Sequence, residues 1–254
     1  MAPNLSVTSA DVHLRSGGRS PDRGTLVSMR DAFHVDLNHM SVQLVEMTRL
    51  AGSAIARATT ALLDSDLALA ESVIAADEQI DRLQRELDET ALNLLARQQP
   101  VATDLRTIVT GMRMSADLER MGDLARHVAK VARRRYPESA VPPVLRSTIL
   151  EMGQVAERIV AKAGSVIASN DLDSAIELEQ DDDEMDRLHR QVFATLLDGH
   201  WDAGIEAAVD ITLIGRYYER FADHAVSVAR RVVYLVTGVW HESYQPIAPS
   251  HPRS

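Results

Sequence analysis

The sequence predicts an all-α fold made of two tandem homologous three-helix bundles, with six long helices in total. Apolar residues recur at steps of three and four, which keeps one stripe of each helix facing a partner. Only 4% of the 254 residues are aromatic, so Ala, Leu, Val, Ile and Met must fill the core. That mixture favours helices over sheets. Two related stretches of about 100 residues also follow one another along the chain.

The first half contains three predicted helices. The apolar stepping of the first begins at Phe33 and continues to Leu62. Pro100 marks the end of the second helix, and the proline-containing stretch YPESAVPP marks the end of the third, because proline cannot continue a helix. The second helix, the third helix and the linker after them are expected at 67–98, 103–135 and 136–143.

The second half repeats this pattern. Apolar residues from Leu145 to Val166 show the same stepping, a fifth helix starts near Leu172, and the segment DGHWDAG (198–204) interrupts it before a sixth helix at 205–236. The predicted organisation is a disordered extension at 1–28, bundles at 29–135 and 144–238 joined by the linker at 136–143, and a flexible tail at 239–254.

Two alignments make the internal repeat explicit. The tetrapeptide IDRL (80–83) aligns with MDRL (185–188) at an offset of 105, and DLERMGDLA (117–125) aligns with YYERFADHA (217–225) at an offset of 100. The five-residue difference between the offsets falls in the hairpin that joins the second and third helices of each half. Insertions and deletions belong in loops, so the alignment is physically sensible.

Composition excludes several classes of function. The absence of cysteine rules out disulfides, thiolate zinc sites and iron–sulfur ligation. A net charge of −10, from 27 basic and 37 acidic residues, disfavours nucleic acid as a partner. No apolar run reaches the ~18–20 residues that span a bilayer, and the first residues lack the apolar core of a signal peptide. We therefore expect a cytoplasmic protein.

Two acidic pairs occur in each half, and each pair is spaced four residues apart. Side chains at i and i+4 share a helix face, so each pair can direct two carboxylates to one point. The two pairs of a half are equally far from their hairpin, ~30 Å at ~1.5 Å per residue, so antiparallel packing brings them level. The eight residues are Asp77, Asp81, Glu119, Asp123, Asp182, Asp186, Glu219 and Asp223.

Four carboxylates from two facing helices resemble the ligands of carboxylate-bridged iron centres. Oxygen ligands suit iron, manganese, magnesium, calcium and also zinc. The alternative is that these acids are solvated helix faces, which Arg120 and Arg220 neutralise without any metal. His127 lies on the same face as Asp123 and is either a nitrogen ligand or a surface histidine. His224 follows Asp223 directly and so points elsewhere.

The remaining polar features are less specific. Asp117 has Tyr217 as its counterpart and is not a repeated feature. The arginines at 133–135 and 230–231 lie towards helix C-termini, where the helix dipole favours them, although a docking surface for an acidic partner or an anionic lipid is the alternative. The sequence has no glycine-rich phosphate loop, G-x-S-x-G elbow or H-E-x-x-H, so no enzymatic activity is predicted.

Three segments resemble the PhoU family of phosphate-uptake regulators: RQQPVATDLR (97–106), DLERMGDLARH (117–127) and RYYERFADHAVSVARR (216–231). The resemblance covers about 29–238 and includes the order of the repeats. It implies two three-helix bundles side by side, often in a homodimer. It also implies that the E/D-x-x-x-D pairs, which are the eight acids named above, hold a metal ion or a multinuclear cluster. Iron is expected first, then zinc, manganese, magnesium or calcium.

The function implied by the resemblance is negative regulation of phosphate uptake and of the phosphate-starvation regulon. Such a protein is a non-enzymatic adaptor between the phosphate ABC transporter, through its ATPase subunit, and the phosphate-sensing histidine kinase. Its association with the membrane is peripheral and occurs through these partners. Two alternatives stay open: a metal-cluster-dependent hydrolase or redox enzyme on the same helical scaffold, and a purely structural helical protein.

Overall fold

The computed structural model describes residues 23–98 and 100–240, and all regular secondary structure in these ranges is helical. A single 3-10 turn at Pro143–Leu145 precedes the fourth long helix. The six helices are α1 (Arg23–Asp64), α2 (Leu67–Gln98), α3 (Thr103–Arg135), α4 (Arg146–Ser169), α5 (Leu172–Leu197) and α6 (Gly204–Thr237). The predicted fold class, all-α with six long helices in two bundles, is confirmed.

The helix boundaries agree with the sequence pattern except at the first helix. α1 begins at Arg23, inside the extension predicted at 1–28. No proline follows Pro21 before the apolar stripe begins, so nothing stops the helix from continuing towards the N-terminus. The predicted extension is therefore too long by the residues 23–28. Its remainder, and the predicted tail from residue 241 onward, lie outside the described residues.

Each half forms a bundle in which all three helices contact one another. The two bundles then pack side by side through two helix pairs, α1 against α4 and α3 against α6. Within the described ranges, α2 packs mainly on α1 and α3, and α5 mainly on α4 and α6, so these two helices lie on the outside. The arrangement has the approximate twofold symmetry that the internal repeat requires.

Polar residues and left-handed backbone mark the helix ends. Asp66 and Asp171 precede α2 and α5, and each accepts a hydrogen bond from a backbone N–H of the first turn, at 2.9 and 3.0 Å. Asn170 and Gly238 end α4 and α6 in the left-handed region, with φ of 54° and 75°. Because these residues end or begin the helices locally, short polar connections are enough to separate them.

α1 and α4 approach each other closely because α4 has glycine where α1 has threonine. A Cβ added at Gly153 would lie 2.5 Å from the Thr59 Cγ2 atom, and one added at Gly164 would lie 2.5 Å from the Thr48 Oγ1 atom. The buried Thr59 hydroxyl also lies 2.7 Å from the Tyr218 hydroxyl of α6. The two halves therefore share one continuous core.

None of the helices in the described ranges combines the length and the apolar character needed to cross a membrane.

Candidate functional site

The first acidic cluster lies between α2 and α3. Asp77 and Asp81 are one turn apart on α2, and Glu119 and Asp123 are one turn apart on α3. Burial raises the pKa of Asp77; the nearby Arg126 guanidinium opposes this rise, whereas the charges of Asp81 and Asp123 add to it. Burial and the charge of Asp123 likewise raise the pKa of Glu119. The two predicted pairs therefore do lie close enough to interact.

Asp77 is the most deeply buried member of this cluster, and Gly122 makes its position possible. A Cβ at residue 122 would lie 3.0 Å from the Asp77 Oδ1 atom and 2.8 Å from the Ile80 Cδ1 atom. Glycine thus lets α2 and α3 approach at the level of the carboxylates. The related residue of the second half is Ala222, so this glycine is not repeated.

Arg126 lies within the first cluster and was not predicted as a site residue. Its guanidinium pairs with Asp77 on α2 and with Asp123 on its own helix. The more exposed Arg120 pairs with Asp123 at 2.9 Å and with Glu119 at 3.5 Å. Two guanidinium groups therefore already neutralise much of this cluster. The spacing of three residues between Asp123 and Arg126 was the available sequence signal.

The second acidic cluster lies between α5 and α6. Burial raises the pKa of Asp182 to about 6, and the charges of Asp223, Asp186, Asp183 and Glu219 contribute to the rise. No guanidinium is among these causes. The four predicted carboxylates of the second half therefore also lie within electrostatic reach of one another.

Arginines approach the second cluster only from its exposed side. Arg216 pairs with Glu219, and Arg220 pairs with Asp223 at 3.0 Å. The residue that corresponds to Arg126 is Val226, which is buried and apolar. The second cluster therefore has carboxylate oxygens and a protonation-sensitive Asp182, but no cation among its buried groups.

The donor chemistry of both clusters suits a hard cation, but their geometry is not that of a closed site. Among the described residues, no three His, Asp or Glu side chains converge closely enough to ligate one ion. Binding would therefore require carboxylates to rotate inward. In the second half this rotation would displace Arg216 and Arg220, which are both exposed and therefore free to move. In the first half Arg126 would have to leave Asp77.

The histidines near the motifs serve the interface between the halves. His224 Nδ1 lies 3.1 Å from the Asp117 Oδ1 atom, and Arg231 Nε donates to the Asp117 Oδ2 atom at 2.8 Å. Burial opposes ionisation of Asp117, but these two partners bring its pKa below the ordinary value. His127 packs on the ring of Tyr217, with centroids 5.2 Å apart. His224 does point away from the cluster, as predicted, and Asp117 joins α3 to α6.

The arginines at the end of α3 also contact the other half. Arg134 and Arg135 both pair with Asp210, a buried residue of α6, and Arg135 pairs with Glu206 at 2.8 Å. Arg230 likewise pairs with a carboxylate of α5, at 2.8 Å. The arginines of α3 therefore stabilise internal contacts in addition to interacting with the helix dipole. Arg230 lies ahead of the last turn of α6, where the dipole predicted from the sequence has little effect.

Comparisons with known proteins agree over most of the chain. The PhoU domain model matches residues 44–132 and 149–232, one match in each half. The chain is 50% identical over 212 residues to the phosphate-specific transport system accessory protein PhoU homolog 2 of Mycobacterium tuberculosis, covering 84% of this chain and 100% of that protein.

Two solved structures share the fold. The crystal structure of PhoU from Pseudomonas aeruginosa superposes with a TM-score of 0.75 at 32% identity, covering 82% of this chain and 100% of that one. The phosphate transport system regulatory protein PhoU from Streptococcus pneumoniae gives 0.72 at 25% identity, covering 82% and 98%. The two bundles, the paired acidic motifs and these matches lead to one conclusion: the chain belongs to the PhoU family.

Proposed function

We propose that this protein regulates phosphate uptake negatively. It represses the phosphate-starvation regulon when phosphate is plentiful, as a non-enzymatic adaptor in the cytoplasm. One observation carries the proposal: the match to a phosphate-specific transport system accessory protein extends over that protein's whole length, so both halves are retained. The relative from Streptococcus pneumoniae is described as a phosphate transport system regulatory protein, which supports the same role.

A gene deletion tests the regulatory role. In high phosphate, the deletion strain should express phosphate-uptake genes that the parent strain represses, and a plasmid copy of the chain should restore repression. A second plasmid carries a variant in which the acidic motifs of both halves are replaced, expressed at the same level. Failure of this variant to restore repression would show that the clusters are needed in addition to the fold. Unchanged reporter expression in the deletion strain would refute the proposal.

The partners in this proposal are the ATPase subunit of the phosphate ABC transporter and the phosphate-sensing histidine kinase. The chain acts as a homodimer and reaches the membrane through these proteins. Cross-linking in cells, followed by purification through a tag on the chain and mass spectrometry, should recover both partners in high phosphate. Recovery of the transporter without the kinase would restrict the protein to control of uptake. Light scattering on the purified chain tests the dimer.

The acidic clusters are the proposed metal sites, and the second cluster is the stronger candidate. Its carboxylates are Asp182, Asp186, Glu219 and Asp223. Burial, and then the mutual repulsion of these groups, raises the pKa of Asp182, and a bound cation would remove the repulsion. Iron is the first expectation, followed by zinc, manganese, magnesium or calcium. Elemental analysis after gentle purification should find a metal above background. Metal at background level would favour a metal-free adaptor.

A further inference from the structure

A basic pocket of about 330 Å³ lies where the N-terminus of α3 meets the C-terminus of α6. The residues that matter for its chemistry are Arg106, Thr110, Arg113, Arg231, Tyr234 and Trp240. At roughly 30 Å³ for each water molecule, the pocket has room for about ten waters, which is more than one small ion requires. Three arginines around one pocket are unexpected in a chain with a net charge of −10.

Two of the three arginines have no carboxylate partner within the described residues. Arg231 is held by Asp117, whereas no carboxylate of the described ranges pairs with Arg106 or Arg113. The Arg106 guanidinium lies 5.8 Å from the centroid of the Tyr234 ring, and its Nε atom is buried without a hydrogen-bond partner. A buried donor without a partner carries a cost, which an anionic acceptor would remove.

The opposite end of the α3–α6 pair, where the C-terminus of α3 meets the N-terminus of α6, is related to this pocket by the internal repeat, and a carboxylate neutralises the arginines there. There, Asp210 accepts ion pairs from both Arg134 and Arg135. The residue of α3 that corresponds to Asp210 in the repeat alignment is Thr110, which lines the basic pocket. The repeat therefore has a buried carboxylate at residue 210 and a threonine at the corresponding residue 110, so the position that balances Arg134 and Arg135 carries no charge beside Arg106 and Arg113.

We infer that this pocket binds the phosphoryl group of a small molecule. Guanidinium groups bind phosphate oxygens through paired hydrogen bonds, and the excess charge of Arg106 and Arg113 matches the charge of a phosphate monoester, about −2. The N-terminus of α3 adds a favourable dipole. The source is either inorganic phosphate or the terminal phosphate of a nucleotide. The pocket involves none of the eight motif carboxylates, so it stands independently of metal binding and of the proposed regulatory role.

Trp240 gives a direct readout, because the chain has only two tryptophans and the other, Trp201, lies in the connection between α5 and α6. In a Trp201→Phe variant, addition of inorganic phosphate or of ATP should change the Trp240 fluorescence saturably. Sodium acetate, sodium chloride and adenosine, at matched ionic strength, should not. Calorimetry on the unsubstituted chain should give the same dissociation constant. If inorganic phosphate gives a saturable change, the free ion is sufficient as the ligand. If ATP gives a saturable change and inorganic phosphate does not, the ligand is a nucleotide.

Three substitutions make the test specific. Arg106→Gln and Arg113→Gln should each weaken binding roughly tenfold or more. Arg113 is exposed, so its variant keeps the test valid if Arg106→Gln does not fold. The matched control is Arg133→Gln, an exposed arginine at the other end of α3, which should change the affinity by less than about twofold.

Three results would overturn the inference. The first is the absence of a saturable response to either phosphate compound. The second is an equal response to acetate or adenosine. The third is an equal loss of affinity in all three arginine variants, which would show a general electrostatic effect rather than a site.

Discussion

At the scale of single residues, Arg126 separates the two acidic clusters. Its guanidinium pairs with Asp77 and Asp123, while the corresponding Val226 is a buried apolar residue. Asp77 is 4% exposed, so its charge depends strongly on this partner. The repeat thus has one cluster with an internal cation and one without. The sequence alignment contains this difference, but only the structure shows that residue 126 points at the carboxylates of α2.

Replacement of Arg126 by valine tests this role. Arg126→Val leaves a buried carboxylate without its cation, and we expect the free energy of unfolding to fall by about 1–3 kcal/mol in urea titrations. Arg120→Val is the matched control, because it makes the same change of residue on the same helix at an arginine that is 63% exposed. Arg120→Val should lower the free energy of unfolding by the cost of valine's lower helix propensity, with a further change of no more than about 0.5 kcal/mol. Equal losses in the two variants would contradict the role of Arg126.

Asp182 gives a second prediction, which concerns pH. Its pKa is raised from 3.8 to about 6, so the folded chain holds this proton more tightly than the unfolded chain does. Stability is therefore lost as pH rises through about 4 to 6, and the loss is complete above that window. Asp182→Asn removes this dependence. We expect the variant to be more stable than the parent by on the order of 1 kcal/mol at about pH 7.5, after allowance for solvent screening.

Most of the advantage of Asp182→Asn should disappear near pH 4, where the parent side chain is protonated in the folded state and near its ordinary pKa of 3.8 in the unfolded state. Urea midpoints measured at the two pH values provide the comparison. Asp183→Asn, at an exposed neighbour on the same helix, keeps Asp182, so its difference in stability from the parent should change much less between the two pH values. A variant that is less stable than the parent at about pH 7.5 would contradict the pKa shift.

At the scale of the helices, the boundaries of α2, α3 and α5 agree with those expected from sequence. Proline and capping aspartates act locally, so their effects can be predicted without knowledge of the fold. Once the hairpins are placed by these local signals, the equal distance of the two acidic pairs of each half from their hairpin also follows from the sequence. The close approach at Gly122 and Gly153 was not, because it depends on which helix packs against that face.

Gly153 provides the prediction at this scale. In Gly153→Ala the new Cβ would meet the Thr59 side chain at 2.5–2.7 Å and disturb the Thr59–Tyr218 hydrogen bond. Overpacking of this kind costs about 1–3 kcal/mol, and the disturbed hydrogen bond adds about 1 kcal/mol. Together these costs exceed the helix-propensity gain of about 1 kcal/mol, so calorimetric melting should show a lower Tm. The matched variant is Gly52→Ala, whose Cβ would lie 3.2 Å from the Val160 Cγ1 atom. There the gain in helix propensity of about 1 kcal/mol should offset the tighter contact. A Tm at or above that of the parent for Gly153→Ala would contradict the close packing of α1 on α4.

At the scale of the whole molecule, the two halves are joined by polar groups as well as by apolar core. Asp117 contacts His224 and Arg231 across the α3–α6 interface, and Asp210 contacts two arginines of α3. From the sequence alone, Asp117 and the arginines at 133–135 are features of α3 without a visible partner, and Asp210 carries no signal. Their partners are more than 70 positions away along the chain, so local spacing carries no signal for them.

The difference between the halves leads to a prediction for the proposed cation binding. Loss of an outer-shell partner alone typically reduces metal affinity by 10–100-fold, so removal of two carboxylates at an occupied site should cost at least about tenfold. The two clusters can be compared within one chain, because each variant leaves the other cluster intact. If the metal ion binds more tightly to the second half, the absence of an internal arginine there would have a role in metal binding.

The most direct test is equilibrium dialysis of Fe²⁺, under anaerobic conditions, against three versions of the chain. These are the unsubstituted protein, Asp182→Asn/Asp186→Asn and Asp77→Asn/Asp81→Asn. We expect the first double variant to bind at least about tenfold more weakly than the unsubstituted protein, and the second to change by less than about threefold. The reverse order, or no binding by the unsubstituted protein above background, would contradict the assignment of the second cluster as the metal site.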